Sequence, residues 1–334
     1  MLLEKPMFSL NKKAPNSLPL IGVGLRHTHF EDAINSPANI DFIEVHAENF
    51  FAKGGASHAV LTDISQHYKI SLHATSLGLG SALPAPQKQL EQLSNLIARY
   101  QPILVSDHAC FSWAESQGLD VHAGDLLPVP FNDESLNIMV SNVKRAQAQL
   151  GRQILVENLS AYIELPGSTY SEAEFLVKLC QQSGCKLLVD LNNLIVNAIN
   201  QPLVTLMAKQ SDSSAHNNVL ALAKQWLENI PSSLVGEIHL AGCTQVDAQQ
   251  LMIDDHSQPV SDDVWSLYHF ALEKFGPVAT LIEWDEDLPS WATLIAEADK
   301  ARAIAKHVFT NSYLTTDEES TSDKTPEEGE IREY

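Results

Sequence analysis

The 334-residue sequence is short of several things, and each shortage removes a class of function. Lysine and arginine number 21 against 42 aspartates and glutamates, a formal net charge of −21. A surface that follows nucleic-acid phosphates works by releasing counterions to clustered Lys and Arg; with no basic stripe present, no nucleic-acid partner is expected. No run approaches the roughly 18 consecutive apolar residues of a membrane span. The first residues, MLLEKPMFSLNKKAPNS, lack a long apolar segment followed by a small-residue cleavage site, so secretion is not expected either. There are only four cysteines, Cys110, Cys180, Cys185 and Cys243, with neither zinc-site nor redox-motif spacing. A reduced, cytoplasmic setting suits them. A glycine-rich dinucleotide fingerprint is also missing: Gly22 and Gly24 lie inside an apolar run and lack the third glycine.

What the sequence does have is a series of short apolar runs that end in His, Asp, Glu or Asn. They are IGVGLRHTH (Ile21 to His29), FIEVHAEN (Phe42 to Asn49), ISLHATS (Ile70 to Ser76), ILVSDHA (Ile103 to Ala109), ILVENLS (Ile154 to Ser160), LLVDLNN (Leu187 to Asn193), EIHLAG (Glu237 to Gly242) and TLIEWDED (Thr280 to Asp287). Continuous β-branched and Leu runs suit strands buried on both faces, as in a parallel sheet. Between them, apolar residues recur at helical spacing over 57–68, 86–100, 134–150, 171–183, 216–229, 261–275 and 289–308. Ser171-x-x-Glu174 has capping-box form, and Ser261 with Asp262 and Asp263 sets acceptors and negative charge at a helix start.

About eight alternations of strand and helix, with right-handed crossovers, predict an α/β fold, a closed (β/α)8 TIM barrel over residues 18–310. Residues 1–17 form an N-terminal extension. Residues 311–334 form an acidic tail whose 315–334 portion holds eight acids against Lys324 and Arg332, a composition expected to stay disordered and solvating.

A barrel brings all its strand ends to one mouth. There the sequence places His73, Asp107-His108, Glu157-Asn158, Asp190, Asn192-Asn193, His239, Glu283 and Asp285, with Asp254-x-His256 on the loop after the seventh strand. A single His after a strand is more often a hydrogen-bonded core residue than a ligand, and an isolated Asn such as Asn197 can simply cap a turn. Five or more strands ending alike call for a shared cause. Carboxylates and imidazoles buried together are costly without compensating charge, and divalent iron, manganese or zinc supplies it. Carboxylates also bridge ions, so more than one ion is expected.

Glu44 and His46 alternate with apolar neighbours and face either the barrel interior or the helices, while Glu48-Asn49 sit at the strand's end and suit the mouth better. Arg26 is placed to bind a substrate carboxylate, to orient an acidic ligand, or to make a structural ion pair. Trp113, Trp265 and Trp284 fall near loops at the mouth, with core packing the simpler role for each. The Gly-rich SLGLGS (Ser76 to Ser81) either hugs a peptide or turns the chain.

Taken together, GVGLRHTHF, DFIEVHAENFF, SLHATSLGLGS, VSDHACFS, VENLSAYI, VDLNNLIVNA, EIHLAGC, IDDHSQPVSDDVWSLY and TLIEWDEDLP resemble the multinuclear non-haem iron-dependent oxidative enzymes, a methanobactin-biosynthesis-like family within the xylose-isomerase-like TIM barrels. The resemblance runs in order over about residues 18–308. It implies two or three irons in a mixed Fe(II)/Fe(III) state, dioxygen as co-substrate, and a ribosomally made precursor peptide modified at cysteine. It also implies a small partner protein that recruits the peptide's leader. Carried over residue by residue, it assigns His73, His108 and Glu157 to one iron. Asp190, His239 and Glu283 complete a second with Glu157 as bridge, and Asn192 or Asn193 with Asp254 and His256 hold a third. Asp285 or Asp287 is the candidate base, with Arg26 beside them. Cys243 stands where related motifs carry His or another polar residue. A divalent-metal sugar isomerase or a metal-dependent hydrolase is the alternative use of such a mouth.

Overall fold

The computed structural model describes residues 18–163, 165–201, 215–246 and 251–319. The 1–17 extension and the tail beyond 319 lie outside the described residues. The eight expected strands are β1 (Ile21–Gly24), β2 (Phe42–His46), β3 (Lys69–His73), β4 (Leu104–His108), β7 (Leu155–Glu157), β8 (Lys186–Asp190), β9 (Val235–Leu240) and β12 (Ala279–Ile282). Each pairs in parallel with its neighbours, and the ring closes through β12 and β1.

Two antiparallel hairpins interrupt the alternation. β5 (Phe111–Ser116) pairs with β6 (Leu119–Leu127), and β10 (Thr244–Val246) with β11 (Leu251–Ile253). The first turns at Gln117 and Gly118, φ +54° and +77°, the doubly left-handed geometry whose twist matches paired strands.

Side-chain alternation in the strands layers the barrel interior. Phe42, Leu104, Leu155, Leu188 and Leu281 form an apolar floor, and Gly22 makes room for the Phe42 ring, which a Cβ would meet at 2.7 Å. Two residues further along each strand the inward positions turn polar: Glu44, Ser106, Glu157, Asp190 and Glu283, all buried. Two further again, His46 and His108 reach the mouth. Period-two alternation thus converts one strand pattern into a greasy floor beneath a polar ceiling.

Helices pack around the ring. The expected caps form: Ser171 and Glu174 exchange side-chain-to-backbone bonds at 3.3 and 2.9 Å, and Ser261 accepts from the Val264 amide at 3.3 Å. One helix, Leu191–Asn200, was not expected. Its first eight positions are buried except Asn197, so it shows no amphipathic stripe to read. Its cap is Asp190 itself, which accepts from the Asn193 amide at 2.6 Å. The last helix, Trp291–Glu319, continues past the boundary expected at residue 310. Among the described residues no helix is long and apolar enough to cross a membrane.

Candidate metal centre

The mouth encloses a cavity of about 490 Å³ lined by His46, His73, His108, Glu157, Asn193, Asp254, His256, Glu283 and Asp285, with an outer wall from β6 and the segment around Tyr162. At its base, His73 Nε2 and His108 Nε2 stand 3.3 Å apart, and each lies 3.4 Å from Glu157 Oε2. Ligand atoms about 2.0–2.2 Å from one ion stand about 3.0–3.5 Å apart around it. The Ser106 hydroxyl, 2.7 Å from His73 Nδ1, holds the ring so that Nε2 faces the common point.

Burial sets the protonation of this triad against itself. It drives His73 well below the usual imidazole range, with His108 adding to the effect, and takes His108 down to about 4. It also pushes Glu157 well above the usual carboxylate range. Glu157 Oε2 has no hydrogen-bond partner.

Next to it, ligand atoms of Glu157, Asp190, His239 and Glu283 lie within 4.8 Å of one another, all buried. His239 Nδ1 is 2.9 Å from Glu283 Oε2, while Asp190 Oδ2 is unpaired. Burial alone would discharge the His239 ring, but the Glu283 and Glu44 carboxylates outweigh it and raise its pKa well above normal. Glu283 is driven the opposite way: His239 and His256 overcome its burial and hold it well below the carboxylate range. Burial lifts Asp190 to about 7.

The loop after β11 supplies a third group. His256 Nε2 lies 2.8 Å from Asp254 Oδ1, which also accepts from Asn192 Nδ2 at 2.8 Å. The oxygens of Asn192 and Asn193 are buried and unpaired. His256 adopts a left-handed backbone, φ +46°, a strained state for a non-glycine residue that a surrounding fold must enforce. Gly242 helps: a Cβ there would come within 2.4 Å of the Gln258 and Pro259 carbonyls, so only glycine lets this loop close over β9.

Arg26 reaches into the mouth from the end of β1. Its Nε donates to Asp285 Oδ1 at 2.8 Å, its Nη2 contacts the same oxygen, and Nη2 lies 3.4 Å from Glu283 Oε1 and 3.1 Å from His46 Nε2. His46, Glu283 and Asp285 also form a ligand-type cluster, but here the guanidinium already provides the cation. Arg26 therefore forms ion pairs with Glu283 and Asp285, the third of its expected roles.

The structure separates the other candidates. Asp287, one of the two bases considered, is exposed on a turn at φ +43° and does not line the cavity, whereas Asp285 does. His27 is exposed, and His29 turns away to the Pro289 carbonyl at 2.9 Å. Glu48 binds the Thr75 amide and Ser76 hydroxyl at 2.9 and 2.6 Å rather than the clusters. SLGLGS turns the chain beneath the first hairpin, with Ser81 Oγ accepting from the Ser112 and Trp113 amides at 2.9 and 3.0 Å. Trp265 and Trp284 pack in the core.

Glu44 and His46, open on sequence between barrel interior and helices, both face the interior, and Glu237 is a buried residue there that the strand pattern did not single out. They alternate by two with residues already chosen or share their face: Glu237 with His239, and Glu44 opposite Ser71 in the β2–β3 register. That alternation was the available signal. Cys243 is half-buried beside the third group, its thiol pushed up to about 12 by burial and by Asp254 and Asp255.

Residues 20–306 match the family of RiPP precursor modification enzymes MbnB/TglH/ChrH, RiPP denoting a ribosomally synthesised and post-translationally modified peptide. The chain belongs to this family. UPF0276 proteins of Vibrio parahaemolyticus and Chromobacterium violaceum are 40% and 39% identical to it, over 87% and 85% of this chain and 94% of each relative. D-psicose 3-epimerase of Clostridium cellulolyticum superposes with a TM-score of 0.53 at 12% identity, covering 87% of this chain and 99% of that one. A xylose isomerase domain protein of Alicyclobacillus acidocaldarius gives 0.51 at 13%, covering 88% and 98%. These likenesses establish the xylose-isomerase-like barrel. The MbnB/TglH/ChrH family consists of enzymes whose substrate is a precursor peptide, and buried His and carboxylate clusters able to hold metal lie in this member's mouth.

Proposed function

We propose that this enzyme oxidises cysteine in a precursor peptide, using dioxygen at a centre of two or three irons. The observation that carries the reading is the triad of His73, His108 and Glu157, whose three ligand atoms converge at 3.3–3.4 Å with no protein cation among them. The donor set fits iron: imidazole and carboxylate without a thiolate, and buried unpaired oxygens on Glu157 and Asp190 that a cation would satisfy. His73, His108 and Glu157 would hold one ion. Asp190, His239 and Glu283 would hold a second across Glu157, and Asn192 or Asn193 with Asp254 and His256 a third.

Held there, iron would supply dioxygen activation and would lower the pKa of a substrate thiol. The protein's own groups do the rest. Arg26 fixes Asp285, leaving Asp285 Oδ2 3.4 Å from His256 Nδ1 as a proton acceptor at the rim. Asp190 and Asn158 lock each other through bonds of 2.9 and 3.1 Å, keeping β7 and β8 in step beneath the ions. Tyr162 and Ile163, exposed beside the cavity, offer apolar surface to an extended peptide, and the Tyr162 hydroxyl anchors the Asp254 amide at 2.9 Å. A small partner that presents the peptide's leader belongs to the same reading.

The test is metal analysis of anaerobically purified protein, followed by oxygen uptake and mass change of a cysteine-containing precursor peptide. Iron with dioxygen-dependent loss of mass or hydrogen from the peptide is expected, abolished by His239→Ala and Glu157→Gln while the fold persists. Magnesium, manganese or zinc as the working ion, with sugar turnover or hydrolysis and no oxygen uptake, would overturn it.

A further inference from the structure

Two glutamates are buried for no reason the centre so far explains, Glu44 in the polar layer of Glu157, Asp190 and Glu283, and Glu237 level with Leu188 and Ala279 of the apolar floor. Glu44 on β2 and Glu237 on β9 are both 0% exposed. Glu44 Oε2 accepts from the Ser71 hydroxyl at 2.8 Å, which fixes the carboxylate in place. Its Oε1 is unpaired and lies 3.5 Å from His239 Nε2. Both oxygens of Glu237 are unpaired too, the nearer 3.9 Å from the same nitrogen. His239 thus has two distinct faces. Nδ1 faces Glu283 Oε2 at 2.9 Å, and Nε2 faces Glu44 Oε1 at 3.5 Å.

The geometry points to Glu44 as the positioning residue of the second metal position, acting through His239. An imidazole binds an ion through a nitrogen that carries no proton, so the proton must sit on the other nitrogen. Without an ion Nδ1 bonds to Glu283 at 2.9 Å and Nε2 makes no hydrogen bond; an ion taken up at Nδ1 would require the ring proton on Nε2, where Glu44 Oε1, an acceptor only, is the nearest carboxylate oxygen at 3.5 Å. Ser71 completes the relay Ser71–Glu44–His239 by holding the far oxygen. Such a carboxylate–histidine–metal chain sets both ring angle and donor strength. The inference rests on the metal centre proposed above.

Glutamine at position 44 is the discriminating change, because an amide keeps the shape but presents either a donor or an acceptor to Nε2 and so enforces neither ring state. Fe(II) binding is measured anaerobically on the full chain for wild type, Glu44→Gln and Ser71→Ala. In parallel, ring-nitrogen spectra are recorded of zinc-loaded protein labelled with ¹⁵N-histidine. The expected result is about a 10–100-fold loss of affinity at one of the ions in Glu44→Gln. Ser71→Ala should show a smaller loss in the same direction. His239 should carry its proton on Nε2 in wild type and lose that preference in Glu44→Gln. A merely structural role would lower thermal stability without changing the ring state. Binding by Glu44→Gln within twofold of wild type, or His239 ligating through Nε2, overturns the inference and leaves the metal centre standing. A wild-type chain that binds no ion overturns both.

Discussion

Two clusters of histidine and carboxylate share the barrel mouth and differ in where their positive charge comes from. Around His46, Glu283 and Asp285, the Arg26 guanidinium sits among the oxygens and settles their charge within the protein. Around His73, His108 and Glu157 no lysine or arginine enters among the described residues, both imidazoles are driven neutral, and a carboxylate oxygen is left unpaired. Identical residue types therefore serve opposite ends: one cluster is complete, the other is complete only with an ion. Ligand-type side chains alone do not mark a metal site. An unmatched charge in a dry cavity does.

The largest effect expected comes from breaking the incomplete cluster. His73→Ala or Glu157→Gln should lower metal affinity by more than about 100-fold, beyond the about 10–100-fold typical of changes to outer partners, and abolish peptide modification. Metal content by elemental analysis and a circular dichroism spectrum of the folded variant check it.

Breaking the complete cluster should act on stability first. Arg26→Met leaves Asp285 and Glu283 facing each other without their cation, and about 3–5 kcal/mol of unfolding free energy should be lost. Denaturant titration of ion-free protein measures it. If the comparison holds, added divalent cation recovers part of this loss, because the vacated corner then resembles its neighbour.

The neighbouring group of Asp190 and His239 adds a response to pH. Burial holds Asp190 at about 7 when no ion is bound, so the folded state keeps a proton that the unfolded chain releases near 3.8. His239, raised by Glu283 and Glu44 against its burial, likewise holds its proton to higher pH than an unfolded histidine does. Both shifts mean that ion-free stability falls as pH rises from 6 to 8. Metal binding has the opposite sign, since ligands must shed those protons and affinity climbs over the same window. His73 and His108, held neutral in the fold while an unfolded histidine still takes up protons near pH 6, add stability over the same rise and offset part of the ion-free fall. Thermal melts with and without metal at pH 6 and 8 should diverge accordingly, and parallel curves would contradict this account. The smallest effect is expected at Asp287→Asn: stability within about 0.5 kcal/mol and unchanged turnover, because the side chain is exposed and Asn tolerates the left-handed backbone.

Most of the barrel and the upper ring of the site were legible in the linear pattern. His73, His108, Glu157, Asp190, His239 and Glu283 end strands, and strand ends in a closed parallel ring have one place to go. Asp254 and His256 were found because their spacing matched ligand types on a loop. Glu44 and Glu237 were harder, since a residue in mid-strand faces either interior or helix and only the register of neighbouring strands decides which. The Leu191–Asn200 helix lacked a periodic stripe because nearly all of its first two turns are buried. The β5–β6 hairpin hid behind a Gln-Gly turn flanked by mixed polar residues with weak alternation.

The sequence by itself determined the eight barrel strands, their order and the kind of atom that gathers at the mouth, because these follow from local periodicity and chain connectivity. Only the tertiary structure decided which carboxylates have a cation already. Whether Arg26 reaches Asp285 or Glu157 depends on distances between β1, β7 and β12, segments more than a hundred residues apart along the chain, and Coulomb energy in a dry cavity depends on those distances rather than on order in the sequence.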